Sequence, residues 1–348
     1  MRGPDVHGYS NGVRDGPERY TRRSRNSADV AGPHRLAELH TEVLVQWRSS
    51  PWIAPSRCTT VAVTQAGTVP PGRRATGDAV PSIESGGARI DYTVHGDGGR
   101  SSSNVILLAG FKAPATSWRY QIASLIRSGH RVVAVDLPGH GTAPAMPHGT
   151  TMQTRADHVH ALLDELDLQD AAMIGGSMGG NTIWSYVDTY GTGRLRAAIV
   201  VDQTPTTLNT PDWEYGFYGY GPDEVDTYFA DGIPSTGHGT PIWRRGMRLV
   251  RFVAAMGRVD WKLSQPELAL LNDHAKRDWR PTIRSSDLPV LFVAGSESEF
   301  WPSAHAEAAT ALGPKGASTV IPRAGHATNM ERPDPFNTAV AEFLSAAS

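Results

Sequence analysis

The residues in this chain best suited to do chemistry are a serine in Gly175-Gly176-Ser177-Met178-Gly179, a histidine in Ala324-Gly325-His326, and several carboxylates near the ends of apolar runs. A Gly-x-Ser-x-Gly pentapeptide between an apolar run and a helical stretch suits a strained strand-to-helix turn, where neighbouring chain comes too close for a Cβ. At this glycine and serine content the bare pattern arises by accident in about one such chain in four, so its context carries the reading. The bland reading is a glycine-rich loop with an incidental serine. On the chemical reading Ser177 is a nucleophile, and the Met178 N–H at a helix start faces any negative charge that develops beside it.

A hydroxyl is a poor nucleophile until a base takes its proton. Of the 13 histidines, His326 is the best placed, after the last expected strand and before a closing helix near residues 334–346. His140 lies in a Pro-Gly loop, His158 and His160 are two apart on a helix and do not face one another, and His305 sits in an expected helix. Those four read as surface or packing residues. A second oxyanion donor is expected where an early strand ends, and Leu108-Ala109-Gly110-Phe111 offers Phe111 or, second, Gly110.

Short β-branched runs must position these groups. Residues 83–94, split by Gly86-Gly87, read as a hairpin; 105–108, 132–135, 171–174, 197–201, 290–294 and 319–321 read as strands, with amphipathic helical spacing between them. That alternation means an α/β fold, a mostly parallel sheet flanked by helices. The rhythm breaks over 206–285, which holds 11 of the chain's 27 aromatic residues and reads as a cap inserted after the sixth strand, leaving 81–205 and 286–348 as the core. Residues 1–80 hold 11 Arg, no Lys, 7 Asp+Glu and only 13 Leu, Ile, Val or Phe, which reads as a disordered extension with one helical patch at 36–47. The 348-residue chain is 39% hydrophobic with net charge −2, so no global basic field invites nucleic acid, and no run approaches the roughly 20 apolar residues of a membrane span. A single cysteine, Cys58, excludes an internal disulfide framework and any multi-cysteine metal site, and the expected setting is the cytoplasm.

Gly110-Phe111 with Trp118, then Asp136-Leu137-Pro138-Gly139-His140-Gly141, then the Ser177 pentapeptide, then Gly325-His326, resemble in order and spacing the α/β-hydrolase superfamily over about residues 82–346. Ala109 departs from the His usual there. The resemblance implies the α/β-hydrolase fold and a triad whose acid usually lies three residues beyond the glycine ending the seventh strand. Counted from Gly295, that place is Ser298, which cannot hold an imidazolium, so Glu297 and Glu299 stand as alternative acids. The superfamily's other location is the end of the sixth strand, here Asp202, whose structural reading is a loop-capping carboxylate.

A serine nucleophile, an acid after the sixth strand and an aromatic cap resemble the zearalenone lactonases. That resemblance implies Ser177, Asp202 and His326 as a triad with Phe111 or Gly110 and Met178 as oxyanion donors. The expected function is a serine hydrolase without cofactor or metal, opening a small-molecule ester or lactone, with a large aromatic macrolactone such as zearalenone as the expected substrate. Trp243, Trp213, Tyr218 and Phe252 are the expected substrate contacts, drawn from the cap's surplus of aromatics. A general carboxylesterase or a carbon–carbon bond hydrolase would use the same triad, and a slow ligand receptor could keep it. A homo-oligomer is compatible with the sequence.

Overall fold

The computed structural model describes residues 80–96 and 103–347. The expected N-terminal extension, its helical patch and Cys58 lie outside the described residues. Eight strands form: β1 (Ser82–Ser85), β2 (Ala88–His95), β3 (Asn104–Leu108), β4 (Arg131–Asp136), β5 (Ala171–Gly176), β6 (Leu195–Val201), β7 (Val290–Gly295) and β8 (Gly316–Ile321). They make one sheet in the order β1-β2-β4-β3-β5-β6-β7-β8. β2 pairs antiparallel with β1 and β4, and every other pairing is parallel. The β1–β2 turn is tight because Gly86 and Gly87 both adopt positive φ, 59° and 76°, as a two-residue hairpin with the right twist requires.

The central strands are apolar on both faces, so each face needs a helical cover. Val105, Leu107, Val132, Ala134, Ala172 and Ile174 point to one side and pack with Trp118, Leu125, Phe336, Val340 and Leu344. These come from α1 (Arg119–Arg127), the 3-10 turn before it, and α9 (Pro333–Ala346). Ile106, Leu108, Val133, Val135 and Met173 point to the other side, against Val159, Leu162, Ile183 and Trp184 of α2 (Met152–Glu165) and α3 (Met178–Tyr190). Each such aliphatic side chain contributes roughly 1.5–3 kcal/mol when removed from water. Among the described residues no helix is long and apolar enough to cross a membrane.

Between β6 and β7 the chain leaves the sheet and forms α4 (Met247–Met256), α5 (Gln265–Ala275) and α6 (Arg280–Ser285), with 3-10 turns at Pro222–Glu224 and Ile242–Arg244. Its two ends meet, with Thr206 bridging Asp278 and the Trp279 N–H donating to the Pro205 carbonyl at 3.1 Å. Most of its aromatics pack with one another. Trp213, Phe217, Tyr220, Phe229 and Trp279 are buried, and Phe217 meets Phe229 at 5.1 Å and Phe300 at 5.3 Å between ring centroids. After β7 come α7 (His305–Thr310), β8 and the short α8 (Thr328–Glu331).

Candidate active site

The parallel strands β5 and β6 end side by side, and each hands over to a residue in strained backbone. Ser177, between β5 and α3, has φ 50° and ψ −129°, and Asp202, after β6, has φ 45°. Non-glycine residues pay for positive φ, and such strain concentrates at functional sites. The Ser177 N–H donates to the Val201 carbonyl at 2.8 Å, which ties the serine turn to the strand carrying the aspartate. Two glycines make the turn possible. A Cβ on Gly179 would stand 2.3 Å from the Leu108 oxygen, and one on Gly110 would stand 3.0 Å from the Ser177 Cβ. Gly110 therefore brings the β3 loop against Ser177, with Phe111 next in the chain. Met178 begins α3, so its N–H has no acceptor within the helix.

The Asp202 carboxylate is fully buried and saturated with donors. Oδ1 accepts the Gly295 N–H at 2.7 Å, while Oδ2 accepts the Ser298 hydroxyl at 2.6 Å and His326 Nδ1 at 2.7 Å. With Nδ1 donating to Asp202, His326 keeps Nε2 for a proton acceptor's role. Burial would raise the Asp202 carboxyl, but His305 and His326 outweigh it and hold it down to about 2. The His326 ring rests near Phe300 at 4.4 Å and Trp301 at 5.4 Å, and its side chain is 20% exposed. No hydrogen bond joins Ser177 Oγ to His326 in this structure; such contacts tighten when a substrate is engaged.

Residues 94–339 match the alpha/beta hydrolase family. The chain belongs to that family. Among its relatives, a non-heme chloroperoxidase of Kitasatospora aureofaciens is 32% identical over 126 residues, which span 36% of this chain and 44% of that one. A putative 2-succinyl-6-hydroxy-2,4-cyclohexadiene-1-carboxylate synthase of Bacillus subtilis (strain 168) is 26% identical over 74% of this chain and 96% of the other. An esterase structure from Exiguobacterium antarcticum superposes with a TM-score of 0.62 at 19% identity, covering 76% of this chain and 98% of that one, a likeness of fold.

In this α/β hydrolase the other expected site residues lie elsewhere. Glu297 and Glu299, the alternative acids, do not reach His326's ring: Glu297 binds Arg248 at 2.7 Å and the Thr240 hydroxyl, and Glu299 accepts the His326 backbone N–H at 2.7 Å and pairs with Arg245. Trp213 is 4% exposed and donates through Nε1 to Thr204 Oγ1 at 3.1 Å, so it packs the core instead of facing a substrate. Tyr218 stacks on His238 at 3.6 Å, and Phe252 is half-buried against the cluster of Ala109, Ala113, Ala327 and Met330. Trp243 is 76% exposed.

Two groups escaped the sequence reading. Ser298, dismissed as an acid, donates its hydroxyl to Asp202, and its place three residues beyond Gly295 was the available signal. His305 is completely buried with Nε2 3.8 Å from Asp202 Oδ1, within ion-pair range but beyond a hydrogen bond. Its only signal was a helix N-terminus near β7, which does not show that it faces β6. Among the described residues no group of three or more His, Cys, Asp or Glu side chains is placed to hold a metal ion.

Proposed function

We propose that this α/β hydrolase is a serine hydrolase of carboxylic esters, with Ser177 as nucleophile, His326 as base and Asp202 as the acid. The supporting observation is the buried Asp202–His326 contact beside a serine at positive φ. Ser177 Oγ attacks the acyl carbonyl while His326 Nε2 takes its proton. The oxyanion is held by the Met178 N–H together with Phe111 or Gly110. His326 returns the proton to the leaving alkoxide, and water, deprotonated by the same imidazole, then hydrolyses the acyl-enzyme. The helical segment 206–285 acts as the cap, since Phe252 packs beside the oxyanion loop and Arg245 beside the base loop.

A fluorophosphonate should label the wild type at Ser177, and Ser177→Ala should fold normally, escape labelling and lose at least about a hundredfold in turnover. Turnover of the variant near the wild-type rate overturns the reading. Labelling without turnover of any ester would instead identify a ligand receptor. The acid after the sixth strand also supports a second reading, a lactonase for a large aromatic macrolactone such as zearalenone. Since the fully buried aromatics serve packing, Trp243, the most exposed of the segment's rings, is the first stacking candidate. That reading expects higher kcat/KM for the macrolactone than for butyryl esters, with Trp243→Ala raising KM for the macrolactone alone; a preference for short esters assigns a general carboxylesterase.

A further inference from the structure

The turn that carries His326 is held by side chains. The Gly325 N–H donates to Glu331 Oε2 at 3.0 Å, and the His326 N–H donates to Glu299 Oε2 at 2.7 Å. A Cβ on Gly325 would stand 2.9 Å from Glu331 Oε1 and 3.0 Å from Glu299 Oε2, so both carboxylates press on the turn where the chain has no side chain. They come from different elements, Glu331 from the end of α8 and Glu299 from the loop after β7, and as like charges they repel. One guanidinium joins them. Arg245, from the segment between β6 and β7, donates Nη1 to Glu331 Oε1 at 2.8 Å, Nη2 to Glu299 Oε1, and Nε to the Thr240 carbonyl at 2.9 Å. The planar guanidinium spreads its donors over three nitrogens in fixed directions, which is what two carboxylates and a carbonyl on separate segments require.

We infer that Arg245 is a positioning residue for the base, fixing the His326 turn through Glu299 and Glu331 and so making catalysis depend on the seating of the inserted segment. The inference rests on the triad reading proposed above. Arg245 touches neither the imidazole nor the reacting atoms; its effect passes through the two backbone N–H groups and through the charge it sets against the two carboxylates. The charged and titratable groups around the base are Asp202 after β6, Glu297 and Glu299 after β7, Glu331 on α8, Arg245 and Arg248 on the inserted segment, and the His305 imidazole behind Asp202. Removing Arg245 leaves excess negative charge beside the turn, which favours the imidazolium and withholds the neutral base.

The test compares wild type, Arg245→Met and Arg245→Lys in fluorophosphonate labelling rate and in kcat, KM and the pH profile for p-nitrophenyl butyrate. Arg245→Met should lose about tenfold or more in kcat with little change in KM, since misplacement of a catalytic group acts on the chemical step. The acid limb of its profile should move up by about half a pH unit or more. Arg245→Lys, which restores the charge but carries its donors on a single nitrogen without the rigid fork, should return the acid limb and recover only part of kcat. A merely structural tie would lower the melting temperature of Arg245→Met while leaving kcat and the acid limb of the folded enzyme unchanged, and that result overturns the inference. If Arg245→Met does not fold, the same comparison of kcat and acid limb in Arg245→Lys decides: wild-type values for both overturn it. Failure of the wild type to label at Ser177 would overturn the triad reading itself, a separate outcome from unchanged Arg245 variants in an enzyme that labels.

Discussion

At the scale of single residues, Asp202 has three hydrogen-bond donors on two oxygens and an imidazole behind it, so its charge is already stabilised before any chemistry begins. Asp202→Asn would present an amide to His326 Nδ1 that can stabilise no imidazolium and can select the wrong tautomer. The expected cost is about four orders of magnitude in kcat, measured on a simple aryl ester with the fold checked by circular dichroism. Glu299→Gln keeps an oxygen for the His326 N–H and should cost less than about tenfold. Reversed penalties would move the acid to the loop after β7. The residues alone left the acid open, because Asp202, Glu297 and Glu299 all follow strand ends, and the fold turns Asp202, 124 residues away in the chain, toward the His326 ring although both glutamates lie within 30 residues of it.

At the scale of elements, the serine turn depends on how closely α3 approaches β3. Gly179 lies on α3 with no room for a methyl group, since its Cβ would fall 2.3 Å from the Leu108 oxygen and 2.9 Å from the Ala109 oxygen, both backbone atoms that cannot swing aside. Gly179→Ala should therefore push helix and strand apart, lowering the melting temperature by several degrees and displacing the Met178 N–H with it. Unchanged melting and unchanged turnover would show that the β3–α3 spacing is more compliant than the structure indicates. By contrast, a glycine at Gly149, with open space around its Cβ position, has φ 80° and is required by conformation alone.

At the scale of the whole molecule, three buried histidines around a buried guanidinium make stability sensitive to acid. Arg155 on α2 is 2% exposed and makes no ion pair among the described residues; its Nε donates to Thr182 Oγ1 at 2.9 Å. Three buried histidines gather around it. Burial, with the Arg155 charge second, lowers His140 to about 3 and His158 and His274 to about 4. In the folded protein these rings stay neutral on acidification, whereas in the unfolded chain each binds a proton near its ordinary value of 6.5. The unfolded state thus holds more protons between about pH 6 and 4, so stability falls as pH drops through that window, by about 1.4 kcal/mol per pH unit for each ring. Urea midpoints measured at pH 7.5 and 5 should fall together with the measured proton uptake, and His274→Gln should remove about a third of the slope. A midpoint independent of pH over this range would refute the account.

The sheet, its order of strands and helices, and the sharp turn at Ser177 were legible in the chain, because each rests on local signals: apolar runs of strand length, helical spacing, and small residues around the serine. Residues 206–285 were read as a cap from a break in that rhythm, with half or more of its rings serving its own core and the surplus lining a pocket; five of the eleven are buried. Composition cannot distinguish a ring that packs against another ring from one that awaits a substrate. Only the tertiary structure decided that Asp202 faces His326, that Ser298 and His305 stand on the same carboxylate, and that Arg245 bridges Glu299 and Glu331. Each of these contacts joins residues from separate elements, and the strength of a charge or hydrogen bond depends on distance and burial, which adjacency along the chain does not set.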